Sequence, residues 1–299
     1  MMNLQEGKTT KWRFTRGRFS RRLTLMFIGC ALIPIVVLAA IAYTSVSREL
    51  MAQSHRNIGR AAKSHAIGIF DRLLSLQNQL NLVALTLTQP ESGNAAAALA
   101  PLRDTLKAHF VAIELHRAGS GVDLLKEAAL VTAPPALSKE ASPGAVTLSI
   151  RKRGELAPPQ VMMRTDLEKD AGGLSAFLEA EVQPAFLWGL GHANTLPPQT
   201  DLVVIDDNQE TLINTSSLDI LSLKAQLRDI DHNRNKGFRY REAAVDYHVS
   251  TWPLFLTPSF GLGTWRVSYI RDEALVLTPI HAFKRSFLLI LMLTFWVVL

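Results

Sequence analysis

Asp206 and Asp207 stand side by side, a pairing that could bind a cation or divide acid and base roles between two carboxylates. They fall between Leu202-Val203-Val204-Ile205 and Thr211-Leu212-Ile213-Asn214. That is a hairpin turn, where Asp and Asn are favoured because their side chains bond to nearby backbone, and the turn is their expected role. Eight histidines, among them His55, His65, His109, His116, His232 and His248, show no metal-ligand spacing of the His-x-x-x-His kind. Scattered surface or core positions are expected for them. Trp188, Trp252 and Trp265 are expected in the core or between modules rather than in a ligand cage. Asp231 to Lys236 reads as a solvated polar loop. The chain has one cysteine, Cys30, so no intramolecular disulfide and no thiol-rich metal site can form. No catalytic residue, cofactor site or metal site is read from the sequence.

The formal charge of +6 is less informative than its position. Lys8, Lys11, Arg13, Arg16, Arg18, Arg21 and Arg22 precede residue 23 against the single acid Glu6. Abutting a long apolar run, this patch marks a cytoplasmic flank rather than a nucleic-acid surface. From Leu23 to Tyr43 there is no charged residue, enough for a membrane helix of about 20 residues. Pro34 lies inside it, which membrane helices tolerate. A cleavable signal peptide is the rival, since Ala40-Ile41-Ala42 fits a small-x-small site, but its apolar core would be only about 7–15 residues. Phe27-Ile28-Gly29-Cys30 loosely resembles a lipoprotein site, yet the apolar run continues past the cysteine. A second apolar run follows Lys284-Arg285 and ends at Leu299. It is too short to span unaided, so the start of a second membrane helix and a continuation beyond Leu299 are expected. Two spans without ionisable residues offer no polar path for transport.

Between the runs, Ile69, Leu73, Leu76, Leu80, Val83 and Leu87 alternate steps of four and three. This is a heptad seam that packs helix on helix, with Ala66, Ala62, Gly59, His55 and Ala52 continuing its phase upstream. The seam can serve its own domain, a dimer stalk or both at once, and the pattern does not separate them. Gln89 to Asn94 ends the helix, and an Ala-rich second helix is expected from about Asn94 to Ala108. Strands are expected at Phe110 to Leu115, Val146 to Arg151, Gln160 to Asp166 and Leu174 to Val182, with a short helix from Pro184 to Trp188. After Leu196-Pro197-Pro198-Gln199 come the hairpin, a helix from Asp219 to Arg228, and strands at Gly237 to Arg241, Ala244 to Thr251 and Thr264 to Ile270. Leu256 to Gly263 reads as a loop. Helix, strands, short helix, strands, twice over with antiparallel sheets, is an α+β pattern.

Several phrases carry a resemblance: Leu202 to Asn208, Phe177 to Val182 with Leu187-Trp188-Gly189, Thr264 to Val267 before Pro279-Ile280, and Phe283-Lys284-Arg285. With the order of elements they resemble the double Cache sensor domains of bacterial membrane receptors, in particular the sensory half of membrane-bound diguanylate cyclases. The resemblance implies an α+β fold of two PAS-like antiparallel-sheet modules strung on a long N-terminal helix and flanked by transmembrane helices. It implies a division into a basic cytoplasmic tail (1–22), a transmembrane helix (23–45), a long helix with a second helix (46–109), a membrane-distal module (110–195), a membrane-proximal module (196–280) and the start of a second transmembrane helix (284–299). It also implies a bacterial inner membrane location with residues 46–283 outside, a lipid bilayer and a second copy of the chain as partners, an unidentified small-molecule ligand and no nucleic acid. The chain carries no Gly-Gly-Asp-Glu-Phe sequence and no Glu-Ala-Leu in a catalytic context; the sensor of a histidine kinase or chemoreceptor, or a stand-alone membrane-anchored binding protein, is the alternative reading. Such sensors usually hold their ligand in the distal module, whose strands carry Arg151, Lys152, Arg164 and Asp166. Arg151, Arg164 and Asp166 are the ligand candidates, because an Arg–Asp combination suits a small zwitterion or carboxylate. No convincing copy of the amino-acid-binding motif of some Cache domains is present, and exposed strand charge is the expected account of these residues.

Overall fold

In the computed structural model, residues 18–88, 99–117, 120–126, 128–129, 145–152, 158–167, 176–191, 196–229, 237–274, 285–290, 292–293 and 296 are described. The chain forms two compact units, one of residues 1–52 with 276–299 and one of 53–275. Helix α1 (Arg18–Thr88) contributes residues to both units. In the first unit the described apolar side chains of this helix are unburied, with Met26 79%, Phe27 73% and Leu38 72% exposed. Residues 285–290 are helical too, with Leu288, Leu289 and Ile290 exposed. Among the described residues, one helix is long and apolar enough to cross a membrane, and its apolar window is wholly unburied. That distinguishes it from the core helix of a soluble domain, which hides its apolar stripe.

In the second unit the seam of α1 is consumed by its own domain. Ile69, Leu73, Leu76, Leu80 and Val83 have no exposed surface and Leu87 has little. They share one core with both sheets, and each buried leucine contributes about 1.5–3 kcal/mol of transfer free energy. Upstream, Ala66 and Ala62 are buried as the phase requires, but the next buried position is Ile58 rather than Gly59. The larger apolar side chain takes the core position, and Gly59 lies close to Ser250.

A 3-10 turn (Ala100–Leu102) leads into α2 (Arg103–His109). The expected Ala-rich helix is thus interrupted by a 3-10 turn at Pro101, which lacks the backbone N–H of an α-helical hydrogen bond; its start near Asn94 lies outside the described residues. The first sheet contains β1 (Phe110–Arg117), β2 (Ser120–Asp123), β3 (Ala128–Ala129), β4 (Val146–Arg151), β5 (Gln160–Asp166) and β6 (Ala176–Val182). Its order is β3-β2-β1-β6-β5-β4, all antiparallel. The short α3 (Pro184–Leu187) follows, with proline in its first turn.

The second sheet contains β7 (Asp201–Ile205), β8 (Thr211–Asn214), β9 (Gly237–Glu242), β10 (Val245–Phe255) and β11 (Thr264–Asp272), in the order β8-β7-β11-β10-β9. Without the two-residue β3, both sheets have the same order: second, first, fifth, fourth, third. The modules are repeats in topology, as the sequence suggested, and the fold is α+β. Strand β10 is longer than expected and runs through Pro253. Its last five residues pair only with β11, and a free strand edge is where proline is tolerated. The loop at Leu256 to Gly263 contains a helical turn, α5 (Thr257–Phe260), ended by Gly261 at φ 67°. Between β8 and β9, α4 (Ile220–Asp229) lays Leu223 and Leu227 on Val203, Ile205, Tyr240, Val249 and Ile270. The second sheet is therefore covered with apolar side chains on both faces.

Candidate functional site

Side chains alternate across a strand, so the burial of one set on α1 fixes what the other face presents. In the first sheet Ile113, Leu148, Met163, Leu178 and Ala180 join the α1 core. The opposite face therefore carries Glu114 and His116 of β1, Phe177, Glu179 and Glu181 of β6, Arg164 and Asp166 of β5, and Arg151 of β4. Register places Thr147, Arg164, Glu179, Glu114 and Asp123 in one cross-strand row. His116, Phe177 and Asp166 form the next row.

This polar face is largely withdrawn from solvent. His116 is 4% and Glu179 5% exposed. Arg164 donates from Nε and Nη2 to Asp166 Oδ1 at 3.0 and 2.9 Å, and its guanidinium lies 4.0 Å from the Phe177 ring centroid. The His116 ring stacks on Phe177 at 4.6 Å and 17°, and His116 Nε2 is 3.2 Å from Glu114 Oε2. Arg151 Nη2 donates to Glu179 Oε1 at 2.7 Å. Gln160 Nε2 donates to Glu181 Oε1. Among the described residues, the carboxylates of Glu114, Glu179, Glu181 and Asp166 and the guanidiniums of Arg151 and Arg164 meet on this face. Asp123 is occupied in its own turn, accepting from the Leu125 and Lys126 N–H groups at 2.9 and 3.2 Å.

Arg151, Arg164 and Asp166 thus all lie on one face, and the expectation of exposed strand charge is corrected for two of them. The Arg164 and Asp166 side chains are only 13% and 17% exposed, because the sheet holds their ion pair against Phe177. Lys152 takes no part; it is exposed and pairs with Glu210 Oε1 at 2.8 Å in the β7–β8 turn. Glu114, His116 and Glu179 are site residues that the sequence reading missed. The available signal was the spacing of two in Glu114-x-His116, which puts both on one strand face, whereas the ligand spacing sought was that of a helix.

The remaining candidates take structural roles. Asp206 Oδ1 accepts from the Glu210 N–H at 2.7 Å and Asp206 Oδ2 from Asn208, while Asp207 accepts from the Thr264 N–H. The carboxylate pair builds the turn, as expected. Trp188 and Trp265 are buried with ring centroids 5.5 Å apart, and Trp252 carries Lys63 Nζ 4.9 Å over its ring. His109 Nδ1 meets Gln79 Oε1 at 2.9 Å. The His55 and His248 rings meet edge-on, with centroids 3.4 Å apart. Burial pulls His65 and His248 each down to about 4, helped by the Arg72 charge at His65 and by His55 and Arg239 at His248. His232 and the loop from Asp231 to Lys236 lie outside the described residues. Among the described residues, cavities also lie elsewhere in this unit. One of about 700 Å³ has Arg103, Lys107 and Lys126 in its lining; another, about 350 Å³, is lined by His65, Arg72 and Tyr269 among others. Neither combines both charges with a buried aromatic platform as the polar face does.

No protein-family profile and no curated protein matches the chain. Solved structures do share its architecture. The extracellular domain of the putative histidine kinase rpHK1S-Z16 superposes with a TM-score of 0.54 at 15% identity, covering 76% of this chain and 98% of that one. The ligand-binding domain of the Pseudomonas fluorescens chemoreceptor CtaA, in complex with L-isoleucine, gives 0.52 at 15%, covering 77% and 97%. That of the Pseudomonas aeruginosa PAO1 amino acid chemoreceptor PctB, in complex with L-Arg, gives 0.51 at 13%, covering 76% and 98%. At these identities the likeness concerns the fold: one long helix carrying two antiparallel modules, shared with the extracellular sensor domains of chemoreceptors and a histidine kinase.

Proposed function

We propose that this chain is the extracytoplasmic sensory input region of a bacterial membrane signalling protein, and that the polar face of its first sheet binds a small amphoteric ligand of the amino-acid class. One observation carries the reading. Of two sheets with the same strand order, the second is filled on its outer face by Leu223, Leu227 and Tyr240, while the first presents half-buried to buried charges of both signs. Buried charges are expensive unless they are paired, and such a surface suits a ligand that completes the pairing. The buried Glu179 Oε2, without a hydrogen-bond partner among the described residues, suits an ammonium group, and Arg151 and Arg164 suit a carboxylate by charge-assisted hydrogen bonds. Two of the structures of like fold hold L-isoleucine and L-Arg by their descriptions, which supports that class.

The proposed location follows from the apolar, unburied part of α1 and from the basic segment before it: N-terminus in the cytoplasm, residues 46–283 outside, the bilayer as the first partner. The proposed domain limits are those drawn from the sequence. Ligand binding would favour one of two packings of the sensor, and the continuous helix α1 would carry the change to the membrane. A homodimer is the proposed signalling state. On the sequence phrases, the output is synthesis or breakdown of cyclic-di-GMP. A second reading, a kinase or chemotaxis output, draws support from what the structures of like fold are called.

The test is a thermal-shift and calorimetric screen of the full chain in detergent against the amino acids. At least one ligand should bind saturably, and Arg164→Ala should weaken it by tenfold or more, the loss of a charge-assisted pair. An Arg164→Ala protein that is folded and binds as well as the parent would overturn the assignment of the face. Cyclic-di-GMP levels with and without the ligand in cells expressing the intact gene distinguish the outputs.

A further inference from the structure

Glu114 and Glu179 are direct cross-strand partners on β1 and β6, an arrangement in which like charges repel. Arg151 engages only Oε1 of Glu179. The other oxygen, Oε2, is buried with no hydrogen-bond partner among the described residues, and His116 Nδ1 is in the same condition. Buried polar atoms without partners are rare, and each calls for a group to satisfy it. Glu114, His116 and Glu179 each offer one donor atom, and these three atoms lie within 4.8 Å of one another.

We propose that Glu114, His116 and Glu179 bind a borderline divalent cation of the zinc class. The imidazole decides the class, because calcium and magnesium take oxygen sets while an imidazole with carboxylates suits zinc and its first-row neighbours. Donors about 2 Å from a common ion stand at most about 4 Å apart, so side-chain shifts of under about an ångström close the site. The ion relieves the Glu114–Glu179 repulsion and satisfies a buried carboxylate. Outer contacts hold the donors in place, as metal sites require: the His116 ring on Phe177 and the Arg151 hydrogen bond to Glu179. Three protein ligands leave a tetrahedral ion one position for water or a bound solute. The inference deepens the ligand-binding reading, since it shares the same face, and it rests on that face admitting solutes.

The test uses the full chain in detergent, stripped with a chelator and titrated with zinc chloride in competition with a chromophoric chelator. One ion per chain should bind. His116→Gln and Glu114→Gln should each weaken it by about tenfold or more, and Co²⁺ should give a tetrahedral visible spectrum that His116→Gln abolishes. Glu179→Gln serves as a third variant; if it fails to fold because Arg151 loses its partner, Glu114→Gln, whose carboxylate is partly exposed, decides. Absence of saturable binding, or equal binding by parent, His116→Gln and Glu114→Gln, overturns the site. Amino-acid titrations on the same samples separate the two readings. Amino-acid binding with no zinc site sinks only the ion, and a zinc site with no amino-acid binding sinks only the small-molecule reading.

Discussion

His248 shows what burial does to a single residue in this fold. It is 5% exposed, and its pKa falls from 6.5 to about 4, first by desolvation and then by the charges of His55 and Arg239. His65 falls equally far, by desolvation and then by Arg72. Both stay neutral in the folded chain while the unfolded chain takes up protons below about 6.5, so stability is intact above that pH and is lost as pH falls towards about 4. The melting temperature should therefore drop across this window, and His248→Gln should flatten the drop. An unchanged slope in that variant would count against the shift. A second residue-scale expectation concerns Gly263, where an added Cβ would strike the Asp207 carboxylate that accepts from Thr264 N–H. Gly263→Ala should cost about 1 kcal/mol, the net worth of that hydrogen bond. The cost should shrink in an Asp207→Ala background when both are measured by denaturant unfolding; full additivity would show that the contact is not the cause.

Among the elements, α1 carries the sharpest lesson. Its heptad seam was legible from spacing alone, but spacing says only that a stripe is buried, not against what. Because the seam from Ile69 to Leu87 packs on the chain's own sheets, it is not free to form a dimer stalk. The apolar residues left exposed on α1 in this region are Ile67, Leu82 and Leu85, with Ile67 and Leu85 on one face at about 3.6 residues per turn. A cysteine scan in membranes should give no intersubunit crosslinks at Leu73, Leu76 or Leu80. If α1 forms the dimer contact, crosslinks should appear at Ile67 and Leu85. Crosslinks at the seam positions would contradict the packing of the second unit. Strands β4 and β5 were read with their observed limits, because β4 alternates apolar and polar residues and β5 starts directly after Pro158-Pro159. β10 was underestimated because Pro253 reads as a stop unless the free edge beside it is known.

For the whole molecule, the sequence by itself determined the α+β class, the two rounds of elements, the apolar runs near both ends and the turn role of Asp206 and Asp207. These rest on local periodicity, local charge and turn chemistry, which need no partner to be read. Arg151, Arg164 and Asp166 could be named as candidates; the spacing of two puts Arg164 and Asp166 on one face, yet that Arg151 shares it followed from register alone. The Glu114–His116–Glu179 cluster was invisible because Glu179 lies far along the chain and meets Glu114 only through the β1–β6 pairing. Likewise, only the tertiary structure decided which of two like-ordered sheets stays polar. α4 covers the outer face of the second sheet with Leu223 and Leu227, and the first sheet keeps buried charges on the corresponding side. Which side chains meet is set by long-range strand pairing, and no local pattern encodes that register.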